Sequence, residues 1–347
     1  MINQDSIDLI SIILPVYNEQ ENIRACLEQV FNQEGVPVPV EVIVADGMSS
    51  DGTREILQQM QAHHPNLFII DNSEKIASKG LNCAIRIAKG GFLIRIDAHT
   101  KISADYIKNC LETFRRTGAD NVGGRMTSVG ITKFGQAAAL AASNPFGVGG
   151  SRFHFSEKEE EVDSVYLGAW PREVFSRIGL FDEELIRDQD DEFNYRLREH
   201  GGKIILNPNI KSIYTVRSTP QALWIQYFQY GFWKVRVMQK HPRQMSIRHF
   251  VPPLFVAAMI GAIFLALFNY RGFIMLVLVG SCYLLANVSV SLLTAYKKDW
   301  NHFIQLLISF AILHISYGSG FLAGLVKFWN RWGDKKGRVP GWRPVDD

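Results

Sequence analysis

Three groups of residues in this chain carry side chains that could do chemistry. Asp46 ends one short apolar run, Asp97 and His99 follow another, and Asp190 and Asp191 stand together at the start of a predicted helix. Carboxylate and imidazole side chains at strand ends can hold a divalent cation and, with it, the phosphates of a nucleotide. Neighbouring carboxylates repel one another, which favours proton uptake by one of them. The sequence therefore predicts a nucleotide pocket with a catalytic base beside it.

The elements that must position these residues are short β-branched runs alternating with helical patterns. This alternation predicts an α/β domain with a mostly parallel sheet, helices on both of its faces and ligands beyond the carboxyl ends of the strands. Strands are predicted at residues 7–14, 40–45, 67–70, 92–96, 162–167 and 203–206, and helices at 20–31, 53–61, 78–88, 103–116 and 190–200. Residues 123–150, rich in Gly, Ala and Ser, are predicted to be a mobile active-site segment.

Membrane attachment is predicted for the C-terminal third. Residues 221–239 alternate aromatic and polar side chains, as an interfacial amphipathic helix does. Three apolar stretches follow at 250–268, 272–295 and 303–328, each near the ~20 residues needed to cross a bilayer. The third contains Gln305, His314 and a Gly-Ser-Gly step, so it could span, kink, or dip in and return. Basic residues flank the stretches in a way that three full crossings cannot place on one side, which favours a re-entrant third stretch.

Charge and cysteine usage indicate the compartment and the partners. The net charge is +3, but residues 220–250 contain five basic side chains and no acid, immediately before the apolar stretches. This placement favours anionic membrane lipids as partners and argues against nucleic acid. The four cysteines lack metal-like or disulfide-like spacing, and residues 1–9 lack a basic n-region. We expect a multi-pass protein of the inner (cytoplasmic) membrane whose catalytic domain stays in the cytoplasm.

Several ordered motifs give the chain a family resemblance. They are residues 13–19 (Ile-Leu-Pro-Val-Tyr-Asn-Glu), 46–53 (Asp-Gly-Met-Ser-Ser-Asp-Gly-Thr), 79–84 (Lys-Gly-Leu-Asn-Cys-Ala), 97–99 (Asp-Ala-His) and 190–193 (Asp-Asp-Glu-Phe). Together they resemble the motifs of family 2 glycosyltransferases, and within that family the chain most resembles bacterial succinoglycan-type exopolysaccharide glucosyltransferases with C-terminal membrane segments. The resemblance implies a GT-A fold, a nucleotide-sugar donor, a divalent cation and inversion at the anomeric carbon.

The resemblance also assigns roles to individual residues. Asp190 aligns with the catalytic base, with Asp191 as the reserve candidate, and Gln189 replaces the glutamate usual before it. His99 replaces the second acid of the family's Asp-x-Asp motif, which biases the site toward Mn²⁺ over Mg²⁺. The full assignment is metal: Asp97 and His99; donor: Pro15, Tyr17, Glu19, Asp46, Lys79 and Asp97; acceptor: Trp170 and Trp233.

Each assigned residue also has a purely structural interpretation. Asp97 and His99 could be a turn former and a surface residue, Trp170 a core tryptophan, and the acids near Asp190 could simply stabilise the helix start. Phe232 occupies the arginine position of the Gln-x-x-Arg-Trp motif found in processive synthases. This substitution argues for addition of a single sugar.

We therefore predict a GT-A domain at 1–218, an interfacial segment at 219–249, two or three membrane segments at 250–330 and a basic tail at 331–347. The predicted reaction moves a hexose from a nucleotide-diphosphate sugar, with UDP-glucose as the first choice, to a lipid-linked saccharide. Two alternatives stay open: a polyprenyl-phosphate glycosyltransferase and a catalytically inactive nucleotide-binding membrane scaffold.

Overall fold

The computed structural model describes residues 7–342, apart from the side chain of Gln244. The first six residues of the predicted catalytic domain and the last five of the predicted tail lie outside this range. In chain order the elements are β1 (Ile10–Val16), α1 (Ile23–Phe31), β2 (Val40–Asp46), α2 (Thr53–Gln61), β3 (Leu67–Asp71), α3 (Ala77–Ile87), β4 (Phe92–Arg95), β5 (Thr100–Ile102), α4 (Tyr106–Thr117), β6 (Asn121–Val129), α5 (Lys133–Ala142), α6 (Pro145–Val148), β7 (Glu160–Glu161), β8 (Tyr166–Pro171), α7 (Glu173–Ile178), α8 (Gln189–Glu199), β9 (Ile204–Thr215), α9 (Pro220–Lys240), α10 (Val251–Ala266), α11 (Tyr270–Lys297) and α12 (Phe303–Lys327).

The strands form one mixed sheet in the order β3-β2-β1-β4-β8-β6-β9-β5, with β7 beside β9. The first four strands in sequence pair in parallel, as the βα alternation predicts. β8 runs antiparallel to β4 and β6, and β9 runs antiparallel to β5 and β7. The prediction of an α/β domain with a mostly parallel sheet is confirmed. The antiparallel pairs made by β8 and β9 were not predicted.

The parallel register explains why distant acids share one edge of the sheet. Val16 of β1 lies opposite Asp46 of β2, and Ile13 of β1 lies opposite Arg95 of β4. Because parallel strands all end at the same edge, Asp46 and the residues just after Arg95 emerge together. Ile10, Ile12 and Leu14 of β1 are completely buried and pack on residues from α1, α2 and α4. This core holds the edge rigid.

Two regions differ from the sequence prediction because their contacts are long-range. The Gly- and Ala-rich segment 123–150 contains the end of β6, followed by α5 and α6, where a mobile segment was predicted. Its small side chains are buried: Ala137, Ala138 and Ala141 are at most 1% exposed. The strand predicted at 162–167 is β8, shifted toward Pro171 by its pairing with β4.

The chain divides into two compact units. The first comprises residues 7–127, 155–214 and 336–342, and the second comprises residues 128–154 and 215–335. The catalytic domain was predicted at 1–218; of that range, residues 128–154 and 215–218 belong to the second unit. The tail returns to the first unit, where Leu180 N–H donates to Pro340 O (3.0 Å) and Glu183 N–H donates to Arg338 O (2.9 Å).

The second unit contains three helical segments that are long and apolar enough to cross a membrane, namely Ile247–Ala266, Tyr270–Lys297 and Trp300–Lys327. The third is assigned as one continuous helix, Phe303–Lys327, through its Gly-Ser-Gly step. It is also the most enclosed, with 44% of its apolar window buried against 17% and 6% for the other two.

The helix predicted as interfacial, α9, packs closely against α12. A Cβ on Gly320 would lie 2.0 Å from Phe228 O, and one on Gly231 would lie 2.0 Å from Tyr317 O. Only glycine allows the two backbones to approach this far. The glycines that suggested a break in the third stretch are therefore packing residues.

Candidate active site

Two loops at the carboxyl edge of the sheet are tied to each other. Asn18 N–H donates to Ser49 Oγ (2.9 Å), and Ser50 N–H donates to Asn18 Oδ1 (2.9 Å). Glu19 N–H donates to Thr53 Oγ1 (2.8 Å). Asn18 adopts a left-handed φ of 53°, which asparagine tolerates better than most residues. The loops after β1 and β2 therefore form one cup.

Asp46 lies at the bottom of this cup and is fully buried. Its carboxylate accepts hydrogen bonds from Ser49 N–H (3.2 Å) and from Arg54 Nη1 (3.3 Å). Arg54 also pairs with Asp71 at the end of β3. Asp46 is thus a buried carboxylate with partners of its own, and its nucleoside-binding role stays a prediction.

Asp97 is held by an arginine from the strand before it. Arg95 Nε donates to Asp97 Oδ1 (2.8 Å) and Arg95 Nη2 donates to Oδ2 (3.1 Å). Burial alone would raise the pKa of Asp97, but the nearby charges of Arg95, His99 and Arg187 hold it below its ordinary value. Asp97 is thus a carboxylate kept ionised in a mostly buried place.

His99 contacts an acid from the first loop. Its Nδ1 lies 3.2 Å from Glu19 Oε1, while Asn22 Nδ2 donates to Glu19 Oε2 (2.8 Å). Burial would raise the pKa of Glu19, but the hydrogen bonds from His99 and Asn22 lower it overall. The predicted donor residue Glu19 and the predicted metal ligand His99 therefore lie together.

Among the acids at the start of α8, Glu192 has a structural role. Glu192 forms a bidentate pair with Arg196, with Nε to Oε1 and Nη2 to Oε2 both at 2.9 Å, and both side chains are buried. Arg196 also donates to Leu180 O (2.7 Å), which anchors the helix to the preceding loop. Asp188 begins the turn into α8 with a left-handed φ of 60°. Glu192 is accordingly structural.

Asp190 and Asp191 remain the two acids that are predicted to act in catalysis. Asp191 accepts a hydrogen bond from Ser164 Oγ (3.2 Å). Asp190 lies within electrostatic reach of Arg95: burial lowers the pKa of Arg95, but the charges of Asp97 and Asp190 raise it overall. The Arg95 guanidinium is therefore hydrogen-bonded to Asp97, and the charge of Asp190 also acts on it.

Three further residues assigned to the donor lie in or after β1 and in α3. Pro15 belongs to the end of β1, and Tyr17 after it is 46% exposed with Lys75 Nζ 5.4 Å from its ring centroid. Lys79 lies in α3 and pairs with Glu74. Their donor contacts stay predictions.

The two tryptophans assigned to the acceptor differ in their surroundings. Trp170 is 2% exposed and packs against the rings of Phe175, Phe181 and Phe193 in the first unit. A sugar ring cannot stack on so enclosed a side chain, and the core interpretation describes it better. Trp233 lies in α9 of the second unit, where its ring centroid is 5.7 Å from that of Phe328.

The residues present can take part in holding a divalent cation. Among residues 7–342 no group of three or more His, Cys, Asp or Glu could hold a metal by itself. Nucleotide sites need only one or two protein ligands, because phosphate oxygens and water supply the others. Asp97, His99 and Glu19 offer such oxygen and nitrogen donors, and each Asp97 oxygen keeps a second lone pair beside Arg95.

Two arginines near these acids were not predicted from the sequence. Arg95 is 6% exposed and lies at the end of β4, and Arg187 precedes the acids of α8. The signal for Arg95 was available, since a charged side chain within the apolar run of residues 92–96 needs a buried partner.

Comparisons with known proteins identify a family and several relatives. Residues 11–177 match the family model for glycosyl transferase family 2. The succinoglycan biosynthesis protein ExoA of Rhizobium meliloti is 29% identical over 323 residues, which cover 92% of this chain and 96% of that protein. The dolichyl N-acetyl-alpha-D-glucosaminyl phosphate 3-beta-D-2,3-diacetamido-2,3-dideoxy-beta-D-glucuronosyltransferase of Methanococcus voltae is 29% identical over 328 residues, which cover 92% of this chain and 98% of that protein.

A solved structure has a similar fold. It is the mannosyltransferase PcManGT from Pyrobaculum calidifontis in complex with GDP-Man and Mn²⁺, with a TM-score of 0.57 and 18% sequence identity. The similarity covers 89% of this chain and 86% of that chain. At this identity it shows that the fold is of the GT-A type.

Proposed function

Because this chain is a glycosyltransferase whose residues 11–177 form a family 2 domain, we propose that it transfers one hexose, with inversion, from a nucleotide-diphosphate sugar to a lipid-linked saccharide in surface polysaccharide assembly. UDP-glucose is the donor that we propose first. We propose the cytoplasmic face of the inner membrane as its location, because most basic residues around the apolar helices belong on that side.

The observation that carries this proposal is the clustering of charge around Arg95. The Arg95 guanidinium donates through Nε and Nη2 to the two carboxylate oxygens of Asp97, and the charge of Asp190 also acts on Arg95. Asp97 follows β4 and Asp190 begins α8, so this interaction supports the proposal that the donor side of the site and the base lie together.

The chemistry assigned to the residues is a direct displacement. Asp190 accepts the proton of an acceptor hydroxyl, whose oxygen forms a bond to the anomeric carbon while the bond to the diphosphate oxygen breaks. The diphosphate leaves with that electron pair, and Arg95 and Arg187 place positive charge near Asp97, where we position the diphosphate. Asp46 holds the nucleoside in the cup formed by the first two loops.

A divalent cation fits this site, and Asp97 and His99 are the residues that we propose to hold it. When bound, it would offset the negative charge that develops on the departing diphosphate. The similar mannosyltransferase was solved with Mn²⁺, and a histidine ligand favours Mn²⁺ over Mg²⁺.

The direct test is to incubate membranes containing the protein with a panel of radiolabelled nucleotide sugars, with and without Mn²⁺, and to follow the label into the lipid fraction. We expect one hexose donor to label lipid, and chelation of the cation to reduce the labelling. Absence of transfer from every donor, with donor binding intact, would favour the inactive scaffold.

The acceptor can be tested separately. The Methanococcus voltae relative is named for transfer to a dolichyl-linked sugar phosphate, which supports an acceptor that already carries a sugar. We expect a lipid-linked saccharide to compete with the natural acceptor and bare polyprenyl phosphate to have little effect. The opposite result would establish the polyprenyl-phosphate alternative.

A further inference from the structure

One seam of the second unit collects polar atoms that lack hydrogen-bond partners. Within the described residues these buried atoms are Nδ1 of His302, Oε1 of Gln305 and Oγ of Ser309, together with Ser128 Oγ at the end of β6. The three from α12 and its N-cap are spaced three and four residues apart, so they share one helix face. Each buried polar atom left unpaired costs about 1–3 kcal/mol, which predicts that a molecule outside the chain satisfies some of them.

Two of these residues, Ser128 and His302, line one cavity. It has a volume of about 390 Å³, which is many times the roughly 30 Å³ that one water molecule occupies. The other walls come from α5 and from the turn between α11 and α12, and the lining residues are Ser128, Val129, Gly130, Gln136, Ala139, Leu140, Lys298, Asp299 and His302. All belong to the second unit.

The charges around the cavity favour an anion. Asp299 is its one acidic lining residue, and that carboxylate accepts a hydrogen bond from Asn301 N–H (2.9 Å). This bond, followed by the charges of His302 and Lys133, holds the pKa of Asp299 below its ordinary value. Asp299 is therefore ionised, and the positive charges of Lys298 and the nearby Lys133 outweigh its single negative charge. The N-terminus of the long helix α12, which carries the positive end of the helix dipole, lies beside the same cavity.

The position of the cavity favours a lipid as the source of that anion. Tyr296 and Trp300 flank the cavity residues in sequence and are 74% and 57% exposed. Exposed Tyr and Trp at the end of an apolar helix typically mark the headgroup level of a bilayer. Lys298 lies between them, one residue after the end of α11.

We propose that this cavity binds the phosphate headgroup of an anionic membrane phospholipid. Lys298, the Ser128 hydroxyl, the His302 ring and the Gln136 amide donate to the phosphate oxygens, and the acyl chains follow the apolar surface of α11. The proposal is independent of the transfer reaction and concerns only the second unit.

The test uses the full chain in detergent, titrated with phosphatidylglycerol or with phosphatidylcholine and measured by native mass spectrometry of lipid adducts. We expect one phosphatidylglycerol adduct of higher affinity that phosphatidylcholine does not reproduce. Lys298→Gln should weaken it about fivefold, as expected for one lysine at an anionic surface. Ser128→Ala should weaken it as well, although this change alters no charge.

Lys297→Gln is the matched control, because Lys297 carries the same charge one residue away and does not line the cavity. It should keep the adduct. Equal binding of the two lipids, or equal losses in Lys297→Gln and Lys298→Gln, would overturn the proposal in favour of unspecific attraction. Displacement of the adduct by millimolar inorganic phosphate would overturn the choice of a lipid. Circular dichroism of Ser128→Ala verifies that the variant is folded.

Discussion

Two regions of this protein treat buried polar groups differently. Around the candidate active site the buried charges have partners within the chain: Arg95 donates to both oxygens of Asp97, and Glu192 pairs with Arg196. At the seam with His302 and Ser128, polar atoms have no hydrogen-bond partner. A site assembled from paired charges is preorganised for its ligand, whereas a site with unpaired polar atoms gains stability only when something binds.

The largest effect is expected from the proposed base in the first unit. Asp190→Asn should lower kcat by about 10²–10⁴-fold, because the amide cannot accept the acceptor proton, while donor affinity stays largely unchanged. The measurement combines the transfer assay with donor binding by calorimetry.

Asp191→Asn is the matched control, since Asp191 contacts Ser164 and should tolerate the change better. Collapse of turnover in Asp191→Asn alone would move the base to Asp191. Full turnover in both variants would show that neither Asp190 nor Asp191 is the catalytic base.

The next effect concerns the paired charge itself. Arg95→Gln leaves Asp97 as a mostly buried acid without its bidentate arginine partner. The free energy of unfolding should therefore fall by about 3–5 kcal/mol. Arg54→Gln should cost about 1 kcal/mol or less, because the Arg54 side chain is 32% exposed and partly screened. Chemical unfolding of the full chain in detergent measures both. Equal losses of unfolding free energy in the two variants would show that the contribution of an arginine to stability does not depend on its burial here.

A smaller effect tests the packing of the second unit. Gly320→Ala places a methyl group against Phe228 O and should destabilise the α9–α12 pair by about 1–3 kcal/mol. Gly261→Ala in α10 is the control, because a Cβ there meets nothing within 4 Å. If both variants unfold at the wild-type temperature, the close approach of the two helices does not contribute to stability.

The smallest effect separates the two tryptophans. Trp170→Phe should cost about 1 kcal/mol of stability by loosening the aromatic cluster and should leave the acceptor KM unchanged. Trp233→Phe should raise the acceptor KM if Trp233 has its predicted role. A raised acceptor KM in Trp170→Phe would contradict the core interpretation.

Prediction from sequence succeeded where local patterns carry the information. Each of the first four strands follows from a β-branched run, and the acids at positions 46 and 97 follow from the ends of β2 and β4. The sequence signal for Arg95 was a charged side chain in an apolar run, but the effect of Asp190 on it depends on tertiary structure, which sequence spacing does not indicate. β8 was predicted at 162–167 and lies at Tyr166–Pro171, because its position depends on antiparallel pairing with β4, about 75 residues earlier in the chain.

The Gly- and Ala-rich segment was misjudged for a different reason. Small residues are common in mobile loops, but they are equally suited to tight helix packing, and composition cannot separate the two. The same ambiguity applies to the glycines of α12, which suggested a break and instead allow contact with α9.

The return of the tail to the first unit constrains how the chain threads a bilayer. Residue 214 leaves that unit before the apolar helices, and residues 336–342 rejoin it after them. A chain that departs from and comes back to one folded body on one side of a membrane must traverse it an even number of times. We therefore predict that the three apolar helices do not all cross the bilayer. In this prediction α10 and α11 make an outward and an inward pass, and α12, the most enclosed of the three, does not cross.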